Sequence, residues 1–140
     1  MKVAQLSPGF SASPQIAPED LPALAAAGFR AIVNNRPDGE VPDQPRSDQL
    51  EAEARRLGLD YAHIPIAPGQ FEQAQVRRLR DFLRRTRGPV LAFCRTGTRA
   101  AQLWALEQAP RCEVEAILAA AATAGYDLAS LRPRLEEAAA

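Results

Sequence analysis

The sequence predicts an α/β fold with a mainly parallel central sheet flanked by helices. Two observations carry this. Short apolar runs alternate along the chain with segments whose apolar residues recur every three or four positions. Glycine and proline fall at the boundaries between them, as at Gly28, Gly58 and Gly88-Pro89. Strands alternating with helices imply right-handed crossovers, and so parallel neighbours covered on both faces.

The residues through Phe10-Ser11-Ala12-Ser13 fit one or two short strands. Pro18-Glu19-Asp20 opens a helix, with proline in the first turn and two acids at the positive end of the dipole. Leu21, Leu24 and Ala25 continue it, and Gly28 ends it. Phe29 to Val33 is a strand that leads into the polar run Asn34-Asn35-Arg36-Pro37-Asp38-Gly39-Glu40. After a loop to Arg46, Ser47 is expected to cap a helix reaching Leu57. Tyr61 to Ile66 is a strand, Phe71 to Arg85 a helix, and Val90 to Phe93 a buried strand. A helix starts near Thr98 or Arg99. Two more follow, Glu113 to Thr123 and a C-terminal one containing Leu128 and Leu131.

The chain has 140 residues, of which 46% are hydrophobic, enough for one domain (1–140) with a real core. Seventeen basic residues balance seventeen acidic ones, which argues against nucleic acid or an anionic membrane as partner. No stretch approaches the roughly 18 apolar residues of a membrane span, and Met1 to Pro8 lacks the apolar core of a signal peptide. A soluble, cytoplasmic protein is expected. Two cysteines, Cys94 and Cys112, and one histidine, His63, do not make a disulfide framework or a four-ligand zinc site. No metal and no cofactor are expected.

The chemistry concentrates in Cys94-Arg95-Thr96-Gly97-Thr98-Arg99. Here a strand gives way to a helix, whose unpaired amides and dipole favour an anion. Arg95 and Arg99 add positive charge, and Gly97 permits backbone angles that aim amides at a common centre. Thr96 and Thr98 offer hydroxyls. A lone cysteine would read as core, but this combination reads as a nucleophilic thiolate that forms a covalent intermediate. The Asn34-to-Glu40 run leaves another strand end, so the two loops are expected to meet at the carboxyl edge of the sheet.

With Ser13-Pro14-Gln15-Ile16, Pro18-Glu19-Asp20-Leu21, Gly28-Phe29, the Asn34-to-Glu40 run, His63-Ile64-Pro65, the cysteine loop and Leu103-Trp104-Ala105-Leu106, the sequence resembles a known bacterial family. This is the phosphatase-like domain of beta-lactamase-hydrolase-like proteins, within the tyrosine-phosphatase-like superfamily. The resemblance spans nearly the whole chain. It implies a tyrosine/dual-specificity-phosphatase-like fold, with Arg36 and Asp38 on a loop near the cysteine.

The superfamily's phosphatases place five residues between cysteine and arginine; here there are four, a spacing that resembles single-domain rhodaneses, whose cysteine carries a persulfide. The superfamily also usually supplies an aspartate before the long helix, where this chain has Ile66-Ala67-Pro68-Gly69-Gln70. Both departures favour sulfur transfer through a Cys94 persulfide over phosphoester hydrolysis through phosphocysteine. A module that binds anions without turnover is the alternative of another class. The catalytic candidates are Cys94 as nucleophile, Arg99 on the oxyanion and Asp38 as a substitute acid. Arg95, Thr96, Gly97, Thr98 and Arg36 are substrate-binding candidates for a small anionic substrate. Asp38 and Arg36 also fit an ordinary Pro-Asp-Gly turn. His63 reads as a packed, hydrogen-bonded histidine, Cys112 as structural, and the arginines from Arg77 to Arg87 as a solvated helix face.

Overall fold

The computed structural model describes residues 2–140. Strands β1 (Ala4–Ser7) and β2 (Phe10–Ser13) form a hairpin, followed by a 3-10 turn at Pro18–Asp20 and helix α1 (Leu21–Ala26). Next come β3 (Ala31–Asn34), α2 (Ser47–Arg56), β4 (Asp60–His63), α3 (Gln73–Arg85), β5 (Val90–Phe93) and α4 (Thr98–Gln108). Helix α5 (Val114–Ala124), a 3-10 turn (Ala129–Leu131) and α6 (Arg132–Ala139) complete the chain.

The five strands lie in the order β1-β2-β5-β3-β4, and every pairing except β1 with β2 is parallel. The mainly parallel sheet expected from the alternation is therefore present. Period-two alternation divides its side chains between two cores. Val90 and Ala92 of β5, with Ala31 and Val33 of β3, face a core that includes Val76, Leu79, Leu103 and Leu135. Leu91, Phe93 and Ile32 face a second core holding Ile16, Leu21, Leu50 and Tyr61. Because β5 sits between β2 and β3, the residue that follows it leaves the sheet at its middle, where the chain order reverses.

Several boundaries differ from the expectations for physical reasons. Ser47 does not cap α2; it is the first helical residue, and its buried hydroxyl lies 2.8 Å from the Tyr61 hydroxyl. β4 ends at His63, although the Ile64 and Ile66 N–H groups beyond it still donate to the Asn34 and Asn35 carbonyls at 2.9 and 3.0 Å. Helix α3 begins two residues later than expected, because Glu72 takes extended angles as its N-cap. The Pro18 segment is a 3-10 turn that precedes α1. Leu128 lies outside α6, whose first helical residue is Arg132.

Candidate active site

Cys94 leaves the end of the central strand and is completely buried. Gly97 takes φ of 96° and is the N-cap of α4, a left-handed conformation that side-chain-bearing residues rarely adopt. That conformation turns the Gly97 N–H toward the Cys94 sulfur, 3.1 Å away. The Gln15 N–H donates to the Arg95 carbonyl at 3.2 Å, tying the loop to the segment after β2. The Thr96 and Thr98 hydroxyls face the exposed side and hydrogen-bond each other at 3.1 Å. Arg95 is exposed on the same rim.

The Arg99 guanidinium is fixed from behind. Its Nη1 donates to Glu40 Oε2 at 2.8 Å and to the Ile66 carbonyl at 2.8 Å, and its Nη2 donates to Glu40 Oε1 at 3.0 Å. A guanidinium has five N–H donors. Three are used here, which leaves the Nε–H and one Nη2–H side by side as an open fork. That edge matches two oxygens of an oxyanion. Burial opposes the Arg99 charge, but the Glu40 hydrogen bonds and negative charge on Cys94 outweigh it, and the pKa is raised.

Arg36 completes the network. Its Nε donates to Glu40 Oε1 at 2.7 Å and its Nη1 to Gln15 Oε1 at 3.0 Å. The Arg36 and Arg99 side chains are 5% and 10% exposed, so one carboxylate is shared between two nearly buried cations. Those three side chains carry one net positive charge, available to an incoming anion. Hydrogen bonds from Arg99 hold the Glu40 carboxyl below its ordinary pKa; burial opposes the shift and Arg36 adds to it. Glu40 therefore stays ionised, which suits it to hold Arg99 and not to give up a proton.

The two loops do meet, but through Glu40 rather than Asp38. The Asp38 carboxylate accepts the Ser47 N–H at 2.8 Å and anchors the start of α2. Replacing Asp38 with alanine is expected to cost about 1 kcal/mol of stability in a denaturant titration, with turnover little changed. Arg36 stands behind Glu40 as a support. His63 Nε2 lies 2.9 Å from the Arg36 carbonyl, the hydrogen-bonded role expected of it. Cys112 is exposed and bonds Gln108. The α3 arginines are not a uniform solvated face. Arg80 pairs with the buried Glu107, and Arg78 donates to the His63 carbonyl.

Sequence reasoning passed over Glu40, the Ile66 carbonyl and Tyr126. The signal for Glu40 was present, four residues after Arg36 in the same polar run. The other two are brought in only by the fold. An ideal Cβ on Gly97 would lie 2.2 Å from the Tyr126 hydroxyl oxygen. Gly97→Ala is therefore expected to meet both backbone strain and a clash. A loss of roughly 1–3 kcal/mol in unfolding free energy is expected, with a larger loss of turnover because the Gly97 amide moves off the sulfur.

With this geometry in hand, the chain can be compared with known proteins. Residues 2–111 match the family described as "Beta-lactamase hydrolase-like protein, phosphatase-like domain". The chain belongs to that family. A beta-lactamase hydrolase-like protein of Agrobacterium fabrum is 34% identical over 141 residues, covering 97% of this chain and 32% of the relative. One from Xylella fastidiosa is 36% identical over 122 residues, covering 84% of this chain and 28% of the relative. The chain thus spans about a third of the length of these curated relatives. The crystal structure of a candidate phosphatase from Neisseria meningitidis superposes with a TM-score of 0.87 at 32% identity, covering 99% of each chain. Kinase-associated phosphatase, with serine in place of its catalytic-site cysteine, shares the fold at a TM-score of 0.75 and 16% identity, covering 97% of this chain and 91% of its own. The family is a phosphatase-like one, and its fold is shared with kinase-associated phosphatase. Among the described residues, no helix is long and apolar enough to cross a membrane.

Proposed function

We propose that this domain hydrolyses phosphoesters through a phosphocysteine on Cys94. The observation that carries the reading is the open Nε/Nη2 fork of Arg99, held by Glu40 beside a sulfur that the Gly97 amide already faces. In the first step the Cys94 sulfur attacks phosphorus, forming the S–P bond as the ester P–O bond breaks. Loop amides and Arg99 hold the non-reacting oxygens, where charge is concentrated. In the second step water displaces Cys94 and releases phosphate.

Two local features favour sulfur transfer: the four-residue loop and the lack of an aspartate before α3. The phosphatase-like family and the phosphatase fold surrounding that loop support hydrolysis better. The absence of an acid between Ile66 and Gln70, with Glu40 kept ionised, points to substrates whose leaving oxygen needs little protonation, such as aryl esters or phosphoanhydrides.

The test pairs two assays on one protein: release of phosphate from an aryl phosphate, and the intact mass after acid quench. Cys94-dependent release with a phosphoryl adduct on Cys94 is expected. A persulfide on Cys94 after thiosulfate, with no phosphate release, would return the reading to sulfur transfer.

A further inference from the structure

Tyr126 stands outside the stretch that matches the family, yet it reaches the cysteine loop. Gly125 ends α5 with φ of 100°, and the Tyr126 N–H donates back to the Ala121 carbonyl at 2.8 Å, so the chain reverses and projects the ring from a fixed backbone. The ring packs partly against the core that holds Leu103 and Ile117. Its far end lies on Gly97: the ideal Cβ position there is 2.2 Å from the hydroxyl oxygen, 2.9 Å from Cζ and 3.1 Å from Cε1. The space a side chain at residue 97 would fill is thus occupied by Tyr126.

Gly97 is also the residue whose amide faces the Cys94 sulfur. The Tyr126 ring therefore lies against the backbone of the cysteine loop, with its hydroxyl beside Gly97. That hydroxyl makes no hydrogen bond among the described residues, although the side chain is half-buried. A donor in this position is free for a ligand.

We propose that Tyr126 is a substrate-positioning residue whose hydroxyl donates to an oxygen of the phosphoryl group held over Cys94. The inference builds on the phosphatase reading, but needs only that an oxyanion occupies the loop. Burial, and then negative charge on Cys94, raise the Tyr126 pKa above its ordinary value, so the phenol keeps its proton across the working range and acts as a donor. Together with the Arg99 fork and the loop amides, it gives the anion a third type of contact, contributed by the segment after α5.

The experiment measures the dissociation constant of inorganic phosphate by phosphorus NMR titration for the full chain, Tyr126→Phe and Arg99→Lys, with a melting temperature for each. Tyr126→Phe removes one oxygen and keeps the ring on Gly97. Phosphate is expected to bind about tenfold more weakly to it, the scale of one hydrogen bond to a charged acceptor, with the melting temperature unchanged. Equal phosphate affinity in Tyr126→Phe and the parent overturns the proposal. So does a lowered melting temperature with unchanged affinity, which assigns the hydroxyl to packing. Parent binding that survives in Arg99→Lys also overturns it, because the anion then sits elsewhere. Tyr126-dependent phosphate binding without any ester hydrolysis would leave this inference standing and defeat the phosphatase reading instead.

Discussion

Cys94→Ser is expected to reduce phosphoester turnover by at least a thousandfold while leaving the fold intact. Serine is nearly isosteric, and the buried site keeps its Gly97 N–H donor an oxygen to face. A neutral hydroxyl is nonetheless a poor nucleophile at neutral pH, and the described residues around Cys94 supply no histidine to activate it; the chain's one histidine bonds the Arg36 carbonyl. The variant should therefore bind phosphate and fail to react. Phosphate affinity within a few-fold of the parent, with turnover lost, is the expected pattern. Residual turnover above about a tenth of the parent would rule out a covalent cysteine intermediate. The same variant separates the enzyme from a simple anion-binding module, whose function would tolerate it.

Arg99→Lys is expected to lower kcat/KM by two to three orders of magnitude, although charge is conserved. An ammonium group has three donors around one nitrogen and cannot hold Glu40 bidentately, reach the Ile66 carbonyl and present a planar fork at once. Loss of the bidentate contact also leaves Glu40 Oε2 without the hydrogen bond that fixes it. Glu40→Gln should be milder, about tenfold in kcat/KM, because the amide oxygen still accepts one hydrogen bond from Arg99. Steady-state kinetics of both variants beside their melting temperatures will separate the two effects.

The Glu40 shift also sets a pH dependence. Its pKa in the folded protein lies below the unfolded value, so the stabilisation is fully present above the unfolded carboxylate pKa. It is lost as pH falls through the folded pKa. An acid-side loss of melting temperature is expected in the parent and should be smaller in Glu40→Gln. Equal acid profiles for the two proteins would show that the Glu40 network adds nothing to stability.

Much of this fold was legible from local chemistry. The apolar run Val90–Phe93, the glycine stops and the helical spacing of Leu79 and Leu83 placed β5 and α3 because these signals act over a few residues. The cysteine loop was legible for the same reason: strand end, glycine and helix start are contiguous. Choosing between Asp38 and Glu40 was not a local question. Both sit in the same polar run, and only the path of the loop after β3 decides which carboxylate reaches Arg99 and which caps α2.

By itself, the sequence determined the mainly parallel α/β architecture, the place of Cys94 at its carboxyl edge and the positive left-handed turn at Gly97. These follow from backbone sterics and side-chain periodicity, which neighbours along the chain settle. Tertiary structure alone decided the partners. Glu40 meets Arg99 across 59 positions, the Ile66 carbonyl meets it across 33, and Tyr126 closes on Gly97 from beyond the helix pair. Contacts at such separations depend on how packed layers bring loop ends together, and no local propensity encodes them.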